Sequence, residues 1–159
     1  MAGGAKLTAS QRPLWKCPRC GARFVTRNLW HSCGRFKLAD HFTGKDPIVR
    51  KVYERFLAAV RERGPVTVIP QKTRIVIMVR VRFAGGSTRK SWFRGSLWLT
   101  RPASHRCLLR AEKIMPNCYV HTFRLERPED VDEDLKALLR EAYAIGCQKH
   151  LEPGWAHRE

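Results

Sequence analysis

Apolar and polar side chains alternate most strictly between Arg74 and Phe83, in the run RIVIMVRVRF. Period two in a segment rich in β-branched residues predicts a strand. One face would carry Ile75, Ile77, Val79, Val81 and Phe83, and the other Arg74, Val76, Met78, Arg80 and Arg82. A single strand is thus expected to supply a core wall and, behind it, a row of guanidinium groups.

Elsewhere the period changes to that of a helix. Val49, Val52, Tyr53, Phe56 and Val60 recur at helical spacing, with Asp46-Pro47 as the start and Gly64-Pro65 as the stop. Val66 to Ile69 reads as a short strand, and Ala84-Gly85-Gly86-Ser87 as the hairpin or loop that follows the main strand. Gly95 to Arg101, Cys107 to Ile114 and Tyr119 to Leu125 are further strands, the last two separated by a turn at Met115-Pro116-Asn117. A closing helix is expected to open at Pro128, with Glu129, Asp130, Asp132, Glu133 and Asp134 near its positive end. Val131, Leu135, Leu138, Leu139, Ala142 and Ile145 would face the core, and Gly146 would end it. The fold class is α+β: an N-terminal ribbon or knuckle, a helix, a mainly antiparallel sheet of four or five strands, and a C-terminal helix. The expected divisions are a flexible tail (1–13), the knuckle module (14–45), the α+β domain (46–150) and a second tail (151–159).

The segment WKCPRCGARFVTRNLWHSCG breaks both periodicities. Cys17-Pro18-Arg19-Cys20-Gly21 has the form of a knuckle that aims two thiolates at one ion, and His31-Ser32-Cys33-Gly34 forms a second, shortened one. Two knuckles at the tips of two hairpins would supply the four nitrogen and sulfur ligands of tetrahedral zinc. The ligands are Cys17, Cys20, His31 and Cys33, with His41 as the alternative to His31, around one structural Zn²⁺. Phe24 and Trp30 would form the module's small core. A DNA-contacting finger fits less well, because Lys37 stands where its last histidine would be. With four ligand positions filled, no site stays open for catalysis.

Charge adds a partner. The net charge is +17, spread as +8 over residues 1–45, +13 over 46–125 and −4 over 126–159. A basic body suits nucleic acid or another phosphate-rich polyanion, and the acidic last segment suits a neighbour for Arg74, Arg80 and Arg82. Trp92, Phe93 and Trp98 lie among Arg89, Lys90 and Arg94, and aromatic residues interleaved with cations suit stacking on unpaired bases. Lys72-Thr73, at the mouth of the main strand, is the candidate for a specific anion contact. The nucleic-acid set is therefore Lys72, Arg74, Arg80, Arg82, Arg89, Lys90, Trp92 and Arg94.

Composition excludes other classes. At 43% apolar residues the chain is globular, and no apolar run approaches the roughly 20 residues of a membrane span. The N-terminal MAGGAKLTASQRP lacks the apolar stretch of a secretion signal, so a cytoplasmic location and reduced cysteines are expected. No Ser/His/Asp arrangement, phosphate loop or pair of inward carboxylates assembles, so an enzyme is not expected. A second metal site from His105, Cys107, Cys118 and His121 is a weak alternative to buried core residues.

The segments KDPIVRKVYERFLAAV, GPVTVIPQKTRIVIMVRVRFA, GSLWLTR and DLKALLREAYAIG resemble an uncharacterised prokaryotic family catalogued as domain of unknown function 5655. The opening WKCPRCGARFVTRNLWHSCGRF is similar to the subset with an N-terminal knuckle. The resemblance spans Leu14 to His150 and implies a helix, a small antiparallel sheet and a closing helix. Lys72-Thr73 matches its strand-opening motif. In other members a similar domain follows nuclease-like or antitoxin-like modules, which leans towards nucleic acid. No reaction or catalytic residue is implied. The favoured reading is a zinc-containing binder of RNA or single strands. The alternatives are a protein adaptor docking through the zinc module, and a small-molecule binder or enzyme with Lys72 and His121 in a pocket between sheet and closing helix.

Overall fold

A computed structural model describes residues 5–155, so the outer parts of both expected tails, 1–4 and 156–159, lie outside the described residues. The architecture is mixed α+β, with a two-stranded ribbon, a six-stranded antiparallel sheet and two helices. The ribbon pairs β1 (Trp15–Lys16) with β2 (Arg23–Phe24). Helix α1 (Pro47–Arg61) then leads into β3 (Thr67–Pro70), β4 (Ile75–Met78), β5 (Arg82–Thr88), β6 (Phe93–Leu99), β7 (Leu108–Met115) and β8 (Cys118–Leu125), and α2 (Glu133–Gly146) closes the chain. The strand order is β3-β4-β5-β6-β8-β7, with β8 inserted between β6 and the edge strand β7.

The expected ten-residue strand is two strands. It breaks at Val79–Val81 because the amides of Arg80 and Val81 donate to the carbonyl oxygen of Gly146, at 2.9 and 3.1 Å, instead of continuing the ladder. The last turn of α2 thus turns the strand into a hairpin, and the sheet gains a strand over the four or five expected. Met78 and Arg82 become cross-strand partners. The glycines expected in a loop lie inside β5. Gly85 has φ +151, and a Cβ there would fall on the Ile75 carbonyl oxygen; one at Gly86 would meet the Arg94 carbonyl. The turn after β5 is at Arg89–Trp92, where the Arg89 amide donates to the Trp92 carbonyl.

Both helices cover one face of the sheet. Phe93, Leu97, Leu99, Phe123 and Leu125 point there and are buried with Val52, Phe56 and Val60 of α1 and Leu135, Leu139 and Ala142 of α2. Fully burying side chains of this size contributes about 1.5–3 kcal/mol each. Helix α2 begins at Glu133, later than Pro128: residues 128–130 form a 3₁₀ turn, and the Asp132 carboxylate caps α2 by accepting from the Leu135 amide at 2.9 Å. Among the described residues, the acidic groups at the start of α2 pair elsewhere than with Arg74, Arg80 or Arg82. Asp130 and Asp132 instead hold Arg106, at 3.0 and 3.1 Å, and Asp132 also pairs with His105. Burial of Asp132 opposes ionisation, but hydrogen bonds from His105, the Leu135 amide and Arg106 outweigh it and hold the carboxyl at about 2.

Candidate functional site

The knuckle sequence folds as a tight turn between β1 and β2. The Cys17 amide donates to the Ala22 carbonyl and the Gly21 amide returns to the Cys17 carbonyl, with Gly21 at φ +76. The second knuckle is not on a hairpin; it is an irregular loop in which Cys33 and Gly34 both take positive φ. Trp15 and Phe24 pack with the ring of His31, whose centroid is 4.6 Å from that of Phe24. They form the module's core, whereas Trp30, expected there, is 85% exposed.

This packing brings one ligand atom each from Cys17, Cys20, His31 and Cys33 to within 4.8 Å of one another. The Cys17 and Cys33 sulfurs are 3.7 Å apart, and Cys20 Sγ is 3.2 Å from His31 Nε2. A disulfide needs about 2.05 Å, whereas two thiolates at corners of a tetrahedron with metal–sulfur bonds of about 2.3 Å are about 3.8 Å apart. The cysteines are free, and the set can hold a metal ion. His31 Nδ1–H donates to the Leu29 carbonyl at 2.8 Å, which leaves Nε2 as the donor atom facing the thiols. The Cys20 backbone amide outweighs burial and lowers Cys17 to about 6, while burial and then the neighbouring thiols push Cys33 up to about 11. His41 is not part of the cluster: its Nε2–H donates to the Gln71 carbonyl at 2.7 Å.

The other face of the sheet carries cations and indoles. Directly opposed residues of an antiparallel pair share a face, so Arg94, Ser96 and Trp98 of β6 stand beside Arg124, Thr122 and Val120 of β8. Arg94 and Arg124 are opposed directly. Arg124 also lies over the Trp92 ring at 4.5 Å and pairs with Glu126, while Arg89 approaches the same indole at 5.8 Å. Arg82 lies over Trp98 at 4.9 Å. Arg124 escaped the sequence reading because only strand register puts it beside Trp92. At one end of this face a cleft of about 950 Å³ opens between Arg82, Trp98, Met115, Leu151 and Trp155.

The remaining expected residues are dispersed. Lys72 is exposed on the turn between β3 and β4, and Arg74 beside it donates to the Gln71 side chain. Lys90 donates to the Gly44 carbonyl and pairs with Asp46. Arg80 is half-buried and bonds Gln148 and the carbonyls of Ala9 and Arg12, and so tethers part of the expected N-terminal tail. His121 is completely buried: the Ala103 amide donates to its Nε2 at 2.9 Å and its Nδ1–H reaches the Tyr119 carbonyl. It is a core histidine and shares no pocket with Lys72. His105 is taken by Asp132, and among the described residues no second metal cluster forms with Cys107 and Cys118. Among the described residues no helix is long and apolar enough to cross a membrane.

The family described as Domain of unknown function (DUF5655) matches residues 38–146. The sheet and both helices fall within that match, while the four metal-cluster residues precede it. No curated protein and no solved structure matches significantly. The chain belongs to the DUF5655 family.

Proposed function

We propose that this member of the DUF5655 family binds single-stranded nucleic acid, RNA ahead of duplex DNA, across the open face of its sheet, and that its Cys₃His cluster holds one structural zinc ion. The observation that carries the reading is the direct opposition of Arg94 and Arg124 beside Trp92. Like charges directly opposite on neighbouring strands are destabilising, and a phosphate lying between them removes that cost. The indole beside them offers a stacking surface for an unpaired base. Arg82 over Trp98 repeats the pairing of cation and indole on the same face. The net charge of +17 favours encounter with any polyanion. Zinc suits a tetrahedral set of three sulfurs and one imidazole.

The test is titration of the full, metal-loaded chain with a fluorescein-labelled single-stranded RNA, read by anisotropy across about 50–200 mM salt. Affinity should fall linearly on logarithmic axes, and Arg94→Glu with Arg124→Glu should weaken it by orders of magnitude. Absence of salt-dependent binding to any RNA or DNA in that range overturns the reading.

A second reading is docking of another protein through the metal module, favoured by the exposure of Val25, Leu29 and Trp30 together on that small unit. Chain-specific capture that survives nuclease treatment and high salt would support it over the first.

A further inference from the structure

The metal module and the sheet enclose a second concave surface that the open face does not include. A cleft of about 510 Å³, within the range of small-ligand pockets, lies between the loop carrying Trp30 and the turn joining β3 to β4. Its walls are Trp30 and Phe36 on one side, with Arg35, and Lys72 and Arg74 on the other. None of the residues lining it is acidic, and the chain has no carboxylate before Asp40. The two sides are fixed to one another and to the fold. Ser32 donates to the Pro70 carbonyl, and the turn is closed by the Gln71 amide on the Arg74 carbonyl and by Arg74 Nε on the Gln71 side chain. Trp30 itself is 85% exposed, although its large apolar surface usually sends tryptophan inside.

We infer that this cleft takes one unpaired nucleotide, its base stacked on Trp30 and its phosphate held by Lys72, Arg74 and Arg35. A rim whose formally charged side chains, Arg35, Lys72 and Arg74, are all cations selects an anion, and a presented indole selects a flat ring rather than a carboxylate side chain. A nucleotide has both features, and stacking tolerates any base. The inference rests on the nucleic-acid reading above and gives the metal module its part in it: the module holds the platform against the sheet.

The experiment compares the wild-type protein, Trp30→Ala, Trp30→Phe and Trp92→Ala, each full-length and metal-loaded, by anisotropy with a fluorescein-labelled oligouridylate. Metal content and melting temperature are measured alongside. Trp30→Ala should lose about tenfold or more in affinity, the scale of one lost base stack, with metal content and melting temperature unchanged because the side chain is exposed. Trp30→Phe should keep most of the affinity. If the wild-type protein does not bind, the nucleic-acid reading falls and this inference with it. If Trp92→Ala weakens binding while Trp30→Ala stays within twofold of wild type, the open face stands and the cleft does not bind a nucleotide. Displacement of the oligouridylate from the wild type by polyglutamate at equal charge concentration would also overturn it, since the cleft would then read charge without a ring.

Discussion

The hydroxyl of Ser32 donates to the carbonyl oxygen of Pro70 at 3.1 Å, joining the loop between His31 and Cys33 to the edge strand of the sheet. Ser32 is only 9% exposed although it sits in a loop between two exposed turns. The metal-ligand residues and the sheet are therefore mechanically linked through one residue.

Metal removal should loosen that link. Elemental analysis of the protein as purified is expected to show about one zinc per chain, and Cys20→Ser or a strong chelator should abolish it. Because a site with so small a core is held together by its ion, chelation should raise amide exchange at Trp15, Phe24 and Ser32 while β5, β6 and β8 stay protected. Unchanged exchange in the module after complete metal removal would sink the structural role of the ion.

Asp132 gives a pH dependence with a definite sign. Its folded carboxyl is held at about 2, below the unfolded value of about 3.9. Its stabilisation is therefore fully present above pH ~4 and lost as pH falls towards 2. Asp132→Ala should cost about 2 kcal/mol at neutral pH, since it removes a helix cap and a partner of Arg106. The gap in stability between wild type and variant, followed by denaturant melts, should shrink from pH 5 to pH 2. A constant gap across that range would mean that the Asp132 carboxyl titrates alike in the folded and the unfolded chain.

Gly85→Ala separates a sheet interior from a loop. In an exposed loop the substitution would be neutral or slightly stabilising. Inside β5 it puts a Cβ onto the Ile75 carbonyl, at a φ that L-residues rarely adopt. A loss of about 2–3 kcal/mol, or failure to fold, is expected. A melting temperature equal to wild type would contradict the placement of β4 against β5.

Arg80 and Arg94 should behave oppositely although the sequence groups them. Arg80→Ala breaks bonds to Gln148 and to two carbonyls of the N-terminal segment, so about 1–2 kcal/mol of stability should go while RNA affinity holds. Arg94→Ala should leave the melting temperature within a degree or so of wild type, as surface substitutions do. It should also reduce the salt slope of RNA binding by about 0.7, one phosphate contact on a single strand. A variant pair that affects binding equally would remove the distinction between tether and interface.

Much of the fold was legible in the sequence. The Asp46-Pro47 start and the helical spacing of Val49, Val52, Tyr53, Phe56 and Val60 belong to α1 as observed, although the Asp46 side chain makes no cap bond, because a proline in the first turn and an apolar stripe are local properties. Cys17, Cys20, His31 and Cys33 could be read as one cluster because thiol and imidazole spacing is written along the chain. Residues 74–83 could not be read so simply. Their alternation continues without interruption, yet the strand ends at Met78, because the Gly146 carbonyl, more than sixty positions away, takes the amides of Arg80 and Val81. Local pattern records which way a side chain prefers to face. It does not record which distant carbonyl will compete for a backbone amide, and that competition turned one row of arginines into a hairpin, a tether at Arg80 and a stacked pair at Arg82 and Trp98. Arg124 beside Arg94, and Trp30 across from Lys72, arise in the same way: strand order and module docking, set by the packing of the whole chain, made them neighbours.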